Sequence, residues 1–204
     1  SKMKRILFIS VILLTGLLAR GQTSTVPDGY QVFKYPNGTV SSEGVLKNGK
    51  PDGFWKSYYV TGVKKSEGKY TNFQLDSVWV FFDQAGDTLE KINYLFGKRN
   101  GYSFKYGKDV SEGLFVQSKE LYAGDRKEGL AYFYFPDGRI KQTLAYNAGK
   151  KEGLSKEFDK EGNVITIMEY NNDYLISRER INRIDAQGLK QGVWKDFYAA
   201  GNIK

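Results

Sequence analysis

Glycines recur along this chain at a nearly fixed interval, and that interval constrains the fold more than any other feature. The glycines at tight turns are Gly38, Gly62, Gly86, Gly138 and Gly162. Those that close each unit are Gly53, Gly101, Gly129 and Gly153, with Ser77 at one equivalent position. Most spacings are about 24 residues, within the range of repeat proteins, whose units bury apolar surface only against their neighbours. The chain is therefore expected to fold as a row of stacked units.

Each unit has the pattern of a β-hairpin. In the second unit an aromatic-rich stretch runs from Phe54 to Tyr59, a turn follows at Thr61-Gly62, and residues 63–70 return. The first unit turns at Pro36-Asn37-Gly38, where Asn and Gly tolerate the positive φ that tight hairpins require. The predicted fold is all-β: an elongated single antiparallel sheet of repeated β-hairpins over residues 29–170.

The remaining boundaries follow from breaks in the repeat. Residues 1–22 form a predicted signal peptide, and 23–28 a short leader. Residues 171–188 form a predicted irregular insertion, either a strand or a short helix, because periodicity does not decide between them. Residues 189–204 begin a further repeat that stops just after its turn, so we expect the parent protein to continue. The fourth repeat has four extra residues, and we expect a lengthened turn or a bulge there.

The N-terminus predicts export. Lys2, Lys4 and Arg5 precede an apolar run that is too short to span a bilayer, and Ala19 and Gly21 are small residues suited to cleavage. The predicted location is the periplasm, the outer membrane or the exterior of a Gram-negative bacterium. Cleavage would remove four basic residues and no acid, so the net charge falls from +8 to +4. We therefore expect no nucleic-acid partner, and the absence of cysteine leaves stability to the sheet itself.

Stacking the units in register predicts which side of the sheet is buried. One column holds Phe54, Val78, Tyr102, Leu130, Leu154 and Val193, and another holds Tyr58, Phe82, Tyr106, Tyr134, Phe158 and Phe197. Positions four residues apart in a strand lie on the same side, so both columns are predicted to form the core. The returning strands supply a matching column of Leu46, Tyr70, Tyr94, Tyr146 and Tyr170.

The side opposite this predicted core is the candidate binding surface. Its proposed binding residues are Trp55, Tyr59, Trp79, Phe81, Phe133, Phe135 and Trp194. Exposed aromatic side chains on a sheet can contact proteins, sugars or peptides. The alternative is that this side is also buried, by curvature of the sheet or by a missing domain.

The pattern W-x-x-Y-Y-x-x-G from Trp55 to Gly62, followed by Glu67-Gly68, resembles the MORN-repeat family and its bacterial variant branch. The segment 185–204 is similar to a further variant unit. The resemblance implies an elongated sheet of antiparallel hairpins. It also implies a scaffold or a module that contacts proteins or lipids, and many bacterial members are described by similarity as antitoxin-like. Glu-Gly is absent from the third, fifth and sixth units, where the chain departs from the pattern.

Catalysis finds little support in the sequence. Histidine and cysteine are both absent, which removes the usual general base, thiol nucleophile and zinc ligands. Glu43, Glu67 and Glu112 are assigned equivalent repeat positions, which indicates a structural role rather than a carboxylate pair for hydrolysis. Residues 83–87 lack the spacing of a calcium loop. We predict no catalytic residue, no metal site and no cofactor.

These observations predict an exported, non-catalytic module that binds a protein through its aromatic side or by adding a strand to its terminal edge. An enzyme acting on envelope polymers through carboxylates is one alternative. Binding to an anionic lipid or glycan surface is another, supported by basic pairs such as Lys64-Lys65 and Lys150-Lys151. The oligomeric state is left open.

Overall fold

The structure, a computed structural model, describes residues 26–197. The described residues form sixteen β-strands and no helix. Their bounds are β1 Gly29–Lys34, β2 Val40–Lys47, β3 Lys50–Tyr58, β4 Lys64–Thr71, β5 Gln74–Phe82, β6 Thr88–Leu95, β7 Lys98–Asp109, β8 Gly113–Ala123, β9 Arg126–Tyr134, β10 Ile140–Asn147, β11 Lys150–Lys151, β12 Gly153–Phe158, β13 Val164–Asn171, β14 Tyr174–Arg180, β15 Arg183–Ile184 and β16 Lys190–Gln191. The predicted signal peptide lies outside the described residues.

Fourteen strands form one antiparallel sheet in hairpin order, in which each strand pairs with the next along the chain. The sheet is open, with β1 at one end and β14 at the other. β11 pairs with β10, and β15 and β16 form a separate two-stranded sheet. This arrangement confirms the predicted all-β sheet of repeated hairpins.

Local turn chemistry sets the period. At the first turn the Gly38 N–H donates to the Tyr35 carbonyl, and the Tyr35 N–H donates to the Thr39 carbonyl. Gly38 has a φ of 87°, a left-handed conformation that glycine adopts at little cost. Ser77 has a φ of 58°, so it does occupy a position that glycine fills in other units.

The fourth hairpin is longer than the others because its strands are longer, which corrects the expectation of a lengthened turn. β7 has 12 residues and β8 has 11, and they pair without interruption from Tyr106 to Asp109. The tip occupies only residues 110–112. Glu112 therefore lies at the tip of a hairpin, and not at a position equivalent to Glu43 and Glu67.

The prediction of which side is buried was wrong for the column from Phe54 to Leu154, whereas Leu46 of the returning column is buried as expected. Phe54 is 74% exposed, whereas its neighbour Trp55, which points to the other side, is 8% exposed. Trp79 is likewise buried, and Leu46, Trp55 and Trp79 form a core with flanking aromatic side chains. We call the side that carries Trp55 and Trp79 the tryptophan face, and the other side the opposite face. The returning column of Leu46 and Tyr70 lies on the tryptophan face, because Tyr70 pairs with Gly53.

Trp55 is buried because glycine on the neighbouring strand leaves room for its ring. Gly44 pairs with Trp55, and a Cβ built on Gly44 would lie 2.5 Å from the indole. A Cβ on Gly68 would lie 2.2 Å from Trp79. Each indole N–H also donates to the carbonyl that follows the glycine, at 2.9 Å for Val45 and 3.0 Å for Lys69. The Glu-Gly pairs thus create a flat site for the next tryptophan.

The same row continues across the sheet with alternating side-chain size. In strand order its members are Gly44, Trp55, Gly68, Trp79, Ile92, Ser103, Glu120, Ala131, Leu144, Ser155 and Met168. In the first two units the returning strands β2 and β4 carry glycine, and tryptophan lies on the neighbouring strand. From Ile92 on β6 onward the sizes are reversed, and the returning strand carries the larger residue. Later units therefore lack both Glu-Gly and tryptophan, because the larger residue of the returning strand fills the space that a tryptophan ring occupies in the first units.

The segment predicted as an irregular insertion contains β14 and then leaves the main sheet. Ile181 is fully buried and packs with Val164 and Ile167, together with Phe158 and Phe197. Asn182, with a φ of 52°, donates its amide hydrogens to the carbonyls of Val164 and Lys195 and accepts the Lys195 N–H. Residues 181–197, which we call the C-terminal segment, therefore cover the opposite face at β12 and β13. The expected turn at Gly201 lies outside the described residues.

Candidate functional site

The structure does not bring the seven predicted binding residues together on one exposed surface. Trp55 and Trp79 are core residues, and Phe81 stacks on Trp79 with ring centroids 6.4 Å apart. Phe133 is half-buried and pairs with Ser118. It lies on the tryptophan face, as do Trp55, Trp79 and Phe81. For Trp55 and Trp79 the alternative that this side is also buried is the correct one, and neighbouring strands are what covers them.

The other three predicted residues lie at the margins of the sheet. The Tyr59 hydroxyl donates to the Phe82 carbonyl at 2.8 Å, and the Phe135 N–H donates to the Arg139 carbonyl within a turn. Trp194 is in the C-terminal segment, where Lys190 lies over its ring at 4.2 Å. The Tyr59 and Trp194 side chains thus take part in local contacts of the fold, and Phe135 is held in its turn by its backbone.

A line of exposed apolar side chains crosses the opposite face. Its members, which we call the exposed column, are Phe54, Val78, Tyr102, Leu130 and Leu154, and they are 43 to 74% exposed. They lie on alternate strands, so successive members are about 10 Å apart. Leu121 beside Tyr102 and Ala145 beside Leu130 make the line continuous in its second half. This column is a surface on which an apolar partner could be buried.

Charged residues of both signs flank the exposed column. Lys56 lies between Glu43 and Glu67 on the same face, and Lys119 lies over the Tyr102 ring at 4.2 Å. The Glu43 carboxylate accepts a hydrogen bond from the Tyr58 hydroxyl at 2.5 Å. Hydrogen bonds from Tyr58 and Tyr30 lower the pKa of Glu43. The face is therefore mixed in charge rather than uniformly basic.

A second candidate site lies on the tryptophan face, near the edge where the units connect. Tyrosines and cations alternate there along the row Tyr94, Arg99, Tyr122, Lys127, Tyr146, Lys151 and Tyr170, which we call the tyrosine–cation row. Each cation pairs across strands with one tyrosine and lies over the next. The ring distances are 4.3 Å from Arg99 to Tyr122, 5.0 Å from Lys127 to Tyr146 and 5.0 Å from Lys151 to Tyr170.

Glu120 is a buried carboxylate beneath this row. It accepts hydrogen bonds from the Tyr122 hydroxyl at 2.9 Å and from the Lys127 ammonium at 3.0 Å. Burial, and then the charge of Glu120, raise the pKa of Tyr122. Burial also raises the pKa of Tyr146. Both phenols are protonated at neutral pH, as tyrosine ordinarily is, and the raised pKa values extend this to more alkaline pH, so the tyrosines act as apolar walls and hydrogen-bond donors.

The row borders a shallow cleft of about 510 Å³. Four cations line it, Arg99, Arg126, Lys127 and Lys151, and two acids, Asp125 and Asp173. Arg99 pairs with Asp125 at 3.3 Å, and Asp173 accepts the Lys151 backbone N–H. Sequence reasoning missed this site, because it related the basic pairs only to an anionic lipid or glycan surface. A usable pattern was present, since Arg99, Lys127 and Lys151 each follow a tyrosine by five residues.

Two acidic residues weighed for hydrolysis or for a calcium loop, Glu67 and Asp83, make local contacts in the fold. Glu67 pairs with Lys64 at 2.8 Å, and the Asp83 carboxylate accepts the backbone N–H groups of Ala85 and Asp87 in a turn. Among residues 26–197 no group of three or more metal-ligating side chains is found. In the same range no helix has the length and apolar character needed to cross a membrane.

Comparison with protein families gives two adjacent matches. Residues 127–148 and 151–172 each match the family described as MORN repeat variant. Each match covers one hairpin: β9 and β10 for the first match, and β12 and β13 for the second. A search of curated proteins finds no match.

Proposed function

The chain is a MORN-repeat protein, and we propose that it is an exported, non-catalytic module that binds a protein partner through the exposed column. Repeat proteins present extended surfaces made of equivalent positions in successive units, which suits them to binding. The observation that supports the proposal is the line of five large apolar side chains across nine strands of the opposite face. Exposed apolar patches of this kind mark interaction sites on soluble domains.

A protein partner fits this surface better than an anionic lipid surface does. Binding to anionic lipids relies on clustered Lys and Arg, each worth about 1 kcal/mol near the membrane. In the first units of the opposite face, Glu43 and Glu67 alternate with Lys56, so attraction and repulsion would largely cancel there. Apolar anchors surrounded by charges of both signs are instead the usual composition of a protein interface.

Two substitutions within the exposed column test the proposal. The double variant Phe54→Ser/Tyr102→Ser removes two anchors that are 74% and 47% exposed, so the fold should be retained. Loss of a central interface residue costs on the order of 2 kcal/mol, and the double variant should weaken binding at least about a hundredfold. Phe96→Ser is the control, because Phe96 is also exposed but lies at a turn outside the column.

The measurement is recovery of a stoichiometric partner from the cell envelope, followed by titration with that purified partner. Binding that survives in the double variant would overturn the proposal. Salt-sensitive binding to anionic vesicles without a protein partner would instead favour the lipid alternative. Loss of an activity on envelope polymers in Glu43→Gln or Glu67→Gln would favour the enzyme alternative.

Export is a separate part of the proposal. It rests on the basic start, the apolar run and the small residues of positions 1–22. A mature protein that begins at Gln22 in the periplasmic or envelope fraction is the expected result, determined by N-terminal sequencing. An uncleaved chain recovered from the cytoplasm would contradict it. An antitoxin-like role then requires a toxin that acts outside the cytoplasm.

A further inference from the structure

We propose that the tyrosine–cation row binds a proline-rich acidic protein segment in the polyproline II conformation, with a carboxylate at every third residue. The row lies on the tryptophan face, whereas the exposed column lies on the opposite face. This second site therefore goes beyond the proposed function and can be tested independently of it.

The spacing of the cations defines the ligand. Arg99, Lys127 and Lys151 lie on β7, β9 and β11, so successive cations are two strands apart. With neighbouring strands about 4.7 to 4.9 Å apart, that separation is about 9.4 to 9.8 Å. A ligand that engages all three cations must present negative charges on one side at this interval.

Polyproline II meets this requirement better than the other regular peptide conformations. It has three residues per turn and a rise of about 3.1 Å, so every third side chain lies on one side at about 9.3 Å intervals. A β-strand places side chains on one side at about 6.8 Å or 13.6 Å. An α-helix repeats a side after seven residues at about 10.5 Å, and its diameter of about 10 Å suits a shallow cleft poorly.

The side chains of the row match the chemistry of such a segment. Proline-rich segments dock in grooves lined with aromatic side chains, and tyrosine rings separate the cations here. Cations outnumber acids by four to two along the cleft, with Glu120 beneath Lys127 as a third acid. Within the described residues Arg126 and Lys151 form no ion pair, so both are available to a carboxylate. Lys127 has three donors and gives one to Glu120.

Two peptides of equal composition test the spacing. One consists of repeated Pro-Pro-Glu units, and the other has the same residues with all glutamates adjacent. Binding to the mature full chain is followed by fluorescence anisotropy of the labelled peptides at low ionic strength. The spaced peptide should bind at least about tenfold more tightly, since only it places one carboxylate at each cation. Added salt should weaken its binding.

Variants locate the site. Lys151→Glu should abolish the preference for the spaced peptide, and Arg126→Glu is a second variant at the same cleft that disturbs no ion pair. Lys119→Glu is the control, because Lys119 also lies over a tyrosine ring but on the opposite face. The Phe54→Ser/Tyr102→Ser variant should keep the preference, which separates failure of this site from failure of the exposed column.

Several outcomes would overturn the inference. Equal affinity for both peptides, or no binding of either, would exclude spacing as the basis of recognition. An effect of Lys119→Glu as large as that of Lys151→Glu would reduce it to general electrostatic attraction. Binding of an acidic oligosaccharide that depends on Lys151, with both peptides inactive, would assign the cleft to a glycan instead.

Discussion

At the scale of single residues, the sheet is stabilised by matched sizes across neighbouring strands. Gly68 lies under the Trp79 ring and has no room for a Cβ, whereas Ile92 faces Ser103 in the next pair of strands. Protein interiors are close-packed, so a large residue at one position requires a small one at the other. The identity of each residue in this row is therefore dictated by its partner and not by its own strand alone.

A double variant that exchanges the large and the small residue at positions 68 and 79 should be tolerated better than a change at one position alone. Gly68→Ala should destabilise the protein by about 1 to 3 kcal/mol through overpacking, and Trp79→Ser by about 3 to 5 kcal/mol through the cavity that it leaves. The double variant Gly68→Ile/Trp79→Ser places at these two positions the same residue types that pair at Ile92 and Ser103. Its loss of stability should therefore be smaller than that of Trp79→Ser. Urea unfolding measures each value, and additive losses would refute the matching of sizes.

Two buried serines of the row from Gly44 to Met168, Ser103 and Ser155, differ in whether their hydroxyl groups form a hydrogen bond. The Ser155 hydroxyl accepts the Ala145 N–H at 3.2 Å, whereas the Ser103 hydroxyl is buried without a hydrogen-bond partner among the described residues. Ser103→Ala should therefore leave stability unchanged or raise it by up to about 1 kcal/mol, and Ser155→Ala should lower it by about 1 kcal/mol. Urea midpoints of the two variants decide the point, and an equal loss in both would contradict it.

At the scale of the hairpin, much of the architecture was predictable because turn chemistry is local. Backbone hydrogen bonds within residues 35–39 close the Asn37-Gly38 turn, so its strands and the period follow from the sequence. The buried side could not be chosen in this way, because Phe54 and Trp55 are both apolar. Gly44 on the neighbouring strand decides between them, and only pairing reveals that contact. The cleft was missed for the same reason, since Arg99 and Tyr122 meet through the sheet.

The C-terminal segment is held by the buried Ile181 and by the hydrogen bonds of the Asn182 side chain. Asn182→Ala removes three hydrogen bonds to Val164 and Lys195 and places alanine at a positive φ, so it should cost about 2 to 4 kcal/mol. Asn182→Gly loses the same hydrogen bonds but tolerates the backbone conformation, and should be intermediate. Limited proteolysis should release the segment first in the alanine variant. Cleavage at the wild-type rate would show that the other contacts of the segment, such as the packing of Ile181 and the Lys195–Glu179 ion pair, are enough to hold it.

At the scale of the whole molecule, the apolar core is divided. One cluster surrounds Leu46, Trp55 and Trp79, and a second surrounds Val164, Ile167 and Ile181. The intervening units fill the same row with Ser103, Ala131 and Glu120. Units in a repeat protein contact only their neighbours, so stability is a sum of local terms. The two ends of the sheet are therefore expected to unfold separately, the smaller C-terminal cluster first.

Tryptophan fluorescence can separate these events, because the chain has three tryptophans and two of them lie in the first cluster. In a Trp194→Phe background, fluorescence reports the first cluster alone, while far-ultraviolet circular dichroism reports the entire sheet. The fluorescence transition in urea should have the higher midpoint.

Ile181→Ala in that background leaves a cavity in the second cluster, at a cost of about 2 to 5 kcal/mol. It should move the early part of the dichroism transition and leave the fluorescence midpoint unchanged. Coincident transitions that move together would mean that the sheet unfolds as one cooperative unit, with contacts through Glu120 and its neighbours coupling the two ends.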